Sequence, residues 1–362
     1  MSSAGEDTTT MRRRPGAHDQ NPGQEQASCA ACGSADIATL KPALRHVYSV
    51  NGREQVWPYR LARCRRCGLG FVDPSPTLAL VNTFYPSAYG NYQHADEGDG
   101  PITPLKRTVA TLRMRMLRRR DPAAVVQALA GLLIETVSGK CVPAPLGAPL
   151  QFPAHARMFD LGYGSGAWLE LMAQLGYDEL YGYDIDANPS NVARLSSRGI
   201  KVSGGDFLEN DYPEGYFDCI RLSHVFEHLI EPAKVLEKCR RMLRPGGMIV
   251  MAHPCLQSWT AELGLDYSPA LMLPQHLFHH TPKSTALMLK AAGFEHIHVK
   301  PMSVARQFGA MYNNSRRARG KKMLSPRVFD ALAPAYRLFC IVTRRGDFMS
   351  AWATARVERS PA

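Results

Sequence analysis

The chain has 362 residues, 45% of them hydrophobic, and carries 43 Lys and Arg against 32 Asp and Glu, a formal net charge of +11. That length and composition support one sizeable core with room for a smaller module, and they exclude a wholly disordered or fibrous chain. The nearest candidate for a bilayer span, Leu338 to Val342, is far too short, and the basic balance permits a polyanionic partner without requiring one.

Residues 1–27 are rich in Ser, Thr, Gly, Gln and charge and lack the apolar stretch of a signal peptide, so they read as a disordered tail on a cytoplasmic protein. Nine cysteines in that setting point to reduced thiols or to metal. Cys29-Ala-Ala-Cys32 and Cys64-Arg-Arg-Cys67 form two CxxC pairs, each followed by glycine, Gly33 and Gly68. Two such turns bring four sulfurs to one point and predict a structural zinc site within a module over residues 28–76, with all four ligand positions taken by protein. Strands are expected near Arg45 to Val50 and Val56 to Ala62, with an exit strand after Gly68.

Residues 77–154 read as a connector. It holds the aromatic segment Phe84-Tyr85-Pro86-Ser87-Ala88-Tyr89, a helical stretch from Thr103 to Thr136 with Lys106, Arg107, Arg113, Arg115 and Arg118 to Arg120 on its polar faces, and a proline-rich linker. The charge run fits a solvated helix face, or a surface for anionic substrate, lipid head groups or nucleic acid.

The main domain is expected over residues 155–304. Met158 to Leu169 has the form of a buried strand ending at Asp160, a turn with Gly162, Gly164 and Gly166, and the first turn of a helix. Glycine lets backbone approach a ligand closely, and the helix offers unpaired N–H groups, so this is the form of a nucleotide-derived cofactor site. Gly162, Gly164 and Ala167 equally satisfy the dinucleotide fingerprint. A second strand ends at Asp184, followed by Ile185, and Asp184 stands 20 residues beyond Gly164, the separation at which a carboxylate meets a ribose diol. A third ends near Asp206 and Phe207, a fourth runs into Ser223-His224-Val225-Phe226-Glu227-His228, and Leu243-Arg244-Pro245-Gly246-Gly247 turns into a fifth. A sixth is expected over Glu295 to Lys300, and a seventh, antiparallel beside it, over Phe348 to Val357.

This ordered series resembles the class I S-adenosylmethionine-dependent methyltransferases over about Met158 to Lys300. With the CxxC pairs, the exit segment and the aromatic segment, the likeness extends back to Cys29 and to a bacterial group of zinc-ribbon methyltransferases. The resemblance implies a Rossmann-like α/β fold with a seven-stranded sheet and a small amino-terminal zinc ribbon. It implies that Asp160, Gly162, Gly164 and Gly166 lie along the methionine part of S-adenosylmethionine and that Asp184 with Ile185 meets the ribose. Asp206 with Phe207 would meet the adenine, and Ser223 and His224 would line the methyl side. Tyr163 stands where many relatives carry a smaller residue.

Methyl transfer to an alcohol benefits from a general base. His276, in Pro274-Gln275-His276-Leu277-Phe278-His279-His280-Thr281, is the first candidate and His228 the second, each against the alternative of a histidine that holds its loop. His276, His279 and His280 alone do not have the spacing of a known metal site. Residues 305–346 form a basic and apolar helical insert in which Pro334 should kink or break a helix, leaving a lid, a packing face or a shallow membrane contact, and residues 347–362 supply the last strand. The acceptor expected is a small molecule or glycan, with a sugar hydroxyl foremost. Sugar carbon and nucleic acid are the alternatives, the latter weakened by Leu222-Ser223-His224-Val225 in place of a base-methylation signature. A zinc-dependent scaffold with a vestigial cofactor fold is the reading without catalysis.

Overall fold

Short, largely apolar runs set the strand pattern of this computed structural model. It describes residues 28–42, 48–50, 53–55, 59–77, 81, 152–264, 267–268, 271–272, 275–303 and 305–356. The tail of residues 1–27, the aromatic segment of residues 84–89 and the basic helix expected over residues 103–136 lie outside the described residues.

The amino-terminal strands are β1 (Ile37–Lys41), β2 (Tyr48–Val50), β3 (Arg53–Gln55), β4 (Arg60–Cys64) and β5 (Gly70–Asp73). β1, β4 and β5 form an antiparallel ribbon, and β2 pairs with β3 alone. Gly33 and Gly68 follow the CxxC pairs at φ 67° and 81°, and each N–H donates to the carbonyl of the first cysteine of its pair. A left-handed conformation at that step closes the turn, which is why glycine stands there.

The main sheet has seven strands, β6 (Met158–Leu161), β7 (Leu180–Asp184), β8 (Lys201–Gly204), β9 (Phe217–Ser223), β10 (Leu243–Pro254), β12 (Phe294–Met302) and β13 (Phe348–Ala355). Their order is β12-β13-β10-β9-β6-β7-β8. β6 pairs in parallel with both β7 and β9, so the chain reverses its direction of travel across the sheet at that point. The crevice at the carboxyl ends of β6 and β9 is where open α/β sheets take their ligands. β13 is antiparallel to β10 and to β12 and sits between them. The Leu243 to Gly247 turn is a break in the β10 register between Leu243 and Met248, with Gly246 at φ 74°.

Helices α1 (Ala167–Gln174), α2 (Pro189–Ser196), α3 (Pro232–Met242) and α5 (Pro282–Ala291) pack on the sheet, and α4 (Trp259–Leu263) contacts α6 (Ala305–Ala318). α7 (Pro326–Thr343) pairs with α6 and is continuous through Pro334, so the helix does not break there. Contacts on both sides of the proline hold it: the Phe308 ring of α6 meets Phe329 and Tyr336, and the Tyr336 hydroxyl donates to Asp347 at 2.7 Å. No helix among the described residues is long and apolar enough to cross a membrane.

The ribbon and the main sheet share one core. Leu69 and Phe71 join Phe159, Phe217, Leu236 and Leu289 in a single buried cluster. The joint is a strand: β11 (Phe278–His279), which follows β10 by 24 residues, adds antiparallel to β5 with Phe278 opposite Phe71. Thr281 then caps α5, accepting from the Ser284 N–H at 3.1 Å while its hydroxyl donates to the Cys67 carbonyl at 2.9 Å. Lys283 Nζ donates to the Arg66 carbonyl at 2.7 Å. Loss of the cap and of the bond to Cys67 in Thr281→Val should cost about 2 kcal/mol in a denaturant titration. An unchanged unfolding midpoint would argue that the joint does not hold the ribbon.

Candidate active site

Two backbone constraints shape the crevice at the ends of β6 and β9. A Cβ at Gly162 would lie 2.2 Å from Cγ2 of Val225, and one at Gly166 would lie 2.5 Å from Cδ1 of Leu195. The glycine loop therefore packs against the loop after β9 on one side and against α2 on the other. Asn191 Nδ2 donates to the Gly164 carbonyl at 3.3 Å, and Arg194 donates to the Ser165 carbonyl, so α2 fixes the loop from behind. Ser223 ends β9, and His224 follows at φ 56°, an unusual conformation for a side-chain-bearing residue and a sharp exit from the strand.

Three carboxylates predicted from the sequence stand along this edge. Asp160 is fully buried and its Oδ1 accepts from Arg221 Nη1 at 2.6 Å, while its Oδ2 has no hydrogen-bond partner. Burial pushes its carboxyl up to about 6 against the pull of Arg221. The Arg221 guanidinium also lies 4.9 Å from the Trp168 ring. Asp184 is buried and accepts the Gly164 N–H at 2.8 Å and the Asp186 N–H at 3.1 Å, with its carboxyl raised by burial against those two bonds. Ile185 beside it is 63% exposed. Asp206 is exposed and accepts the Leu208 N–H at 2.8 Å, whereas Phe207 turns into the core beside Phe159 and Tyr183.

A further carboxylate, Glu227, is not among the site residues that the sequence predicts. It lies in a single 3-10 turn, Phe226–His228, and is 1% exposed. His224 Nδ1 lies 3.3 Å and His276 Nε2 4.0 Å from its Oε1, and neither carboxylate oxygen accepts a well-aligned hydrogen bond. Burial would raise this carboxyl, and the polar contact from His224 first, then the charges of His228, His224 and His276, overcome it and hold it well below the usual range. The loop from residue 275 reaches this turn through backbone, since the Leu277 N–H donates to the Glu227 carbonyl at 2.8 Å. His228 Nδ1 lies 2.9 Å from the Gln275 carbonyl, and the His228 and His276 rings meet edge to face with centroids 4.6 Å apart. The structure thus brings His228 and His276 together, with Asp160, Asp184 and the glycines along the adjoining strand ends.

The four cysteines form a separate cluster in the ribbon. Cys29 and Cys67 sulfurs are 3.5 Å apart, those of Cys32 and Cys64 3.6 Å, and all four lie within 4.8 Å of one another. Thiolates about 2.3 Å from a shared zinc ion stand roughly 3.8 Å apart in a tetrahedron, so the donor set fits that ion.

Residues 134–299 match the family described as Methyltransferase domain. That match, with the order of the seven-stranded sheet, supports an S-adenosylmethionine-dependent methyltransferase domain over those residues. The chain is 30% identical over 102 residues to a ubiquinone biosynthesis O-methyltransferase of Acinetobacter baylyi, spanning 26% of this chain and 42% of that one. It is 33% identical over 119 residues to a ribosomal protein L11 methyltransferase of Ralstonia nicotianae, spanning 32% and 38%. An uncharacterized 37.1 kDa protein of a Streptomyces fradiae transposon is 31% identical over 129 residues, spanning 34% and 36%. The match therefore spans about two fifths of the length of these relatives. Among solved structures, an S-adenosylmethionine-dependent methyltransferase of Archaeoglobus fulgidus aligns at 18% identity and TM-score 0.39, covering 62% of this chain and 93% of that one.

The rings packed around Phe226, behind the loop after β9, are buried neutral imidazoles. Burial pushes His253 and His279 each down to about 4 and His280 well below its ordinary value, and neither ring nitrogen of His280 has a hydrogen-bond partner. The unfolded chain binds a proton at each near pH 6.5, so their stabilisation is complete above that pH and is lost as pH falls toward 4. Asp160 acts oppositely, since its raised carboxyl relieves the fold as pH falls through about 6. Three imidazoles outweigh one carboxyl, with His253 alone worth about 3 kcal/mol. The melting temperature should drop between pH 7 and pH 4.5, and less steeply in His280→Phe, whose ring can keep the stack on Phe226 at 4.4 Å. An equal drop in both proteins would show that His280 does not carry the acid sensitivity.

Proposed function

We propose that the chain transfers the methyl group of S-adenosylmethionine to a hydroxyl oxygen of a small molecule or glycan, with a sugar hydroxyl as the foremost acceptor. The carrying observation is unsatisfied carboxylate oxygen at two neighbouring strand ends, Asp160 in β6 and Glu227, grouped with His228 and His276, after β9. The sulfonium of the bound cofactor supplies an activated methyl group. What the chain must do is hold that donor and align an acceptor lone pair behind the carbon.

The residues fit the donor. The free Oδ2 of Asp160 suits its amino group, and Gly162, Gly164 and Gly166 leave room for the methionine part along the loop. Each Asp184 oxygen uses one lone pair on backbone and keeps another for the ribose hydroxyls. Exposed Ile185 offers an apolar face to the adenine, and exposed Asp206 an acceptor for its amino group. Phe207 stands behind that wall and supports it. Ser223 and His224 border the methyl, and His228 and His276 prepare the acceptor. An oxygen acceptor is also what the name of the Acinetobacter relative describes.

Asp184→Ala should weaken S-adenosylmethionine binding at least tenfold by calorimetry, about 1.4 kcal/mol or more, with a near-native melting curve. Unchanged affinity would remove Asp184 from the site. The same proposal places a structural zinc ion on Cys29, Cys32, Cys64 and Cys67. Because the ribbon shares its core with the main sheet, Cys32→Ser with Cys64→Ser should lose that zinc and lower the melting temperature of the whole chain. Zinc at full occupancy in the double variant would sink the assignment.

A further inference from the structure

Glu227 poses a problem that the cofactor does not solve. A carboxylate that is 1% exposed and accepts no well-aligned hydrogen bond is costly unless something positive lies against it. The groups around it are imidazoles arranged as ligands. Donor atoms of Glu227, His228 and His276 all lie within 4.8 Å of one another. Ligands about 2.1 Å from a shared ion stand roughly 3–4 Å apart, and the 4.0 Å between Glu227 Oε1 and His276 Nε2 falls in that range.

The tautomer of His228 agrees. A carbonyl only accepts, so His228 Nδ1, 2.9 Å from the Gln275 carbonyl, carries the hydrogen and leaves the lone pair on Nε2. A backbone carbonyl that fixes one ring nitrogen so that the other can ligate is the usual support of a metal-bound histidine. The loop that carries Gln275 and His276 is itself pinned, by the Leu277 N–H to the Glu227 carbonyl and by β11 on the ribbon. Two of the three donors come from one turn and the third from 48 residues later, which is why their sequence spacing matches no known motif.

We propose that Glu227, His228 and His276 form a second divalent-cation site, separate from the four cysteines, whose open positions take the acceptor oxygen. Two imidazoles and one carboxylate suit a borderline ion such as Mn2+, Fe2+ or Zn2+ and leave coordination positions free. For its chemical role the site rests on the methyl-transfer reading. The ion lowers the pKa of the acceptor hydroxyl, whose proton passes to solvent. The oxygen forms the new O–C bond, and the C–S bond breaks with its electron pair left on sulfur, which becomes a neutral thioether. His276 then acts as a ligand in place of a free base.

The test is Mn2+ titration of the zinc-loaded full-length chain, followed by calorimetry and by the Mn2+ electron-spin signal. Mn2+ prefers oxygen and nitrogen donors and does not compete for thiolates. One Mn2+ per chain should bind, and Glu227→Gln and His276→Ala should each weaken it at least tenfold, with unchanged zinc at the cysteines and unchanged circular dichroism. His228→Asn serves as the second variant if Glu227→Gln does not fold. No saturable uptake of Mn2+, Co2+ or Zn2+ beyond the ribbon's zinc, or uptake equal in the variants, would overturn the site. Mn2+ uptake by a chain that binds no S-adenosylmethionine would leave the site standing and overturn the methyl-transfer reading. S-adenosylmethionine binding without Mn2+ uptake would do the reverse.

Discussion

The two hydrogen-bonded rows where β11 meets β5 decide how this molecule is assembled. Phe278 and His279 pair with Phe71 and Gly70 across some 200 residues of chain, and the Gly70 position has no room for a side chain, since a Cβ there would lie 2.7 Å from Leu256. A sheet edge covered by a strand of the main domain is no longer free to pair elsewhere. The consequence reaches past packing. The same short segment carries His276 on one side and the Thr281 cap on the other, so the ribbon holds the loop that faces the crevice. The module that carries the four sulfurs thereby holds the segment that bears His276.

Charge explains the rest of the crevice. Two carboxylates are buried at neighbouring strand ends and are treated differently. Asp160 sits against one arginine, and burial still dominates, which leaves its carboxyl raised. Glu227 sits among three imidazoles, and they dominate, which leaves its carboxyl depressed. The first is a group that a bound amine would satisfy, the second one that a cation would satisfy.

The strand ends were legible because their signals are local. An acid or a glycine closes β6, β7 and β8, and the regular return of those residues is visible along the chain. The cysteine pairs were legible for the same reason, since each turn needs only five consecutive residues, the last a glycine. Glu227 was not. Its neighbours in sequence make it one charge between two histidines in a loop, and only the arrival of residue 276 turns that loop into a buried cluster. Arg221 was hidden similarly, because it faces Asp160 only through the parallel register of β9 on β6. Phe207 reads in sequence like a ring beside a ligand, and its side chain instead completes the aromatic layer with Phe159 and Tyr183. Where propensity alone was used, at Pro334, tertiary contacts overrode it.

The insert of α6 and α7 follows the same logic of long-range closure. Thr343 and Asp347, at the end of α7 and before β13, hold the start of α4: Thr343 accepts from Trp259 Nε1 at 2.9 Å, and Asp347 accepts from Thr260 at 2.8 Å. The Cys255 N–H donates to the Asp347 carbonyl, and the Leu256 N–H to that of His280. β13 in turn must enter the sheet between β10 and β12, so its first residue, Phe348, stands opposite Pro254 at the end of β10. The His224 ring meets Phe348 edge to face, with centroids 5.0 Å apart. The last strand of the chain therefore helps to place a residue bordering the crevice, and the helical hairpin is the connection that delivers it there. The positions of His276 and His224 are therefore set jointly by the ribbon, which holds the segment of residue 276, and by the insert, which delivers Phe348 against residue 224.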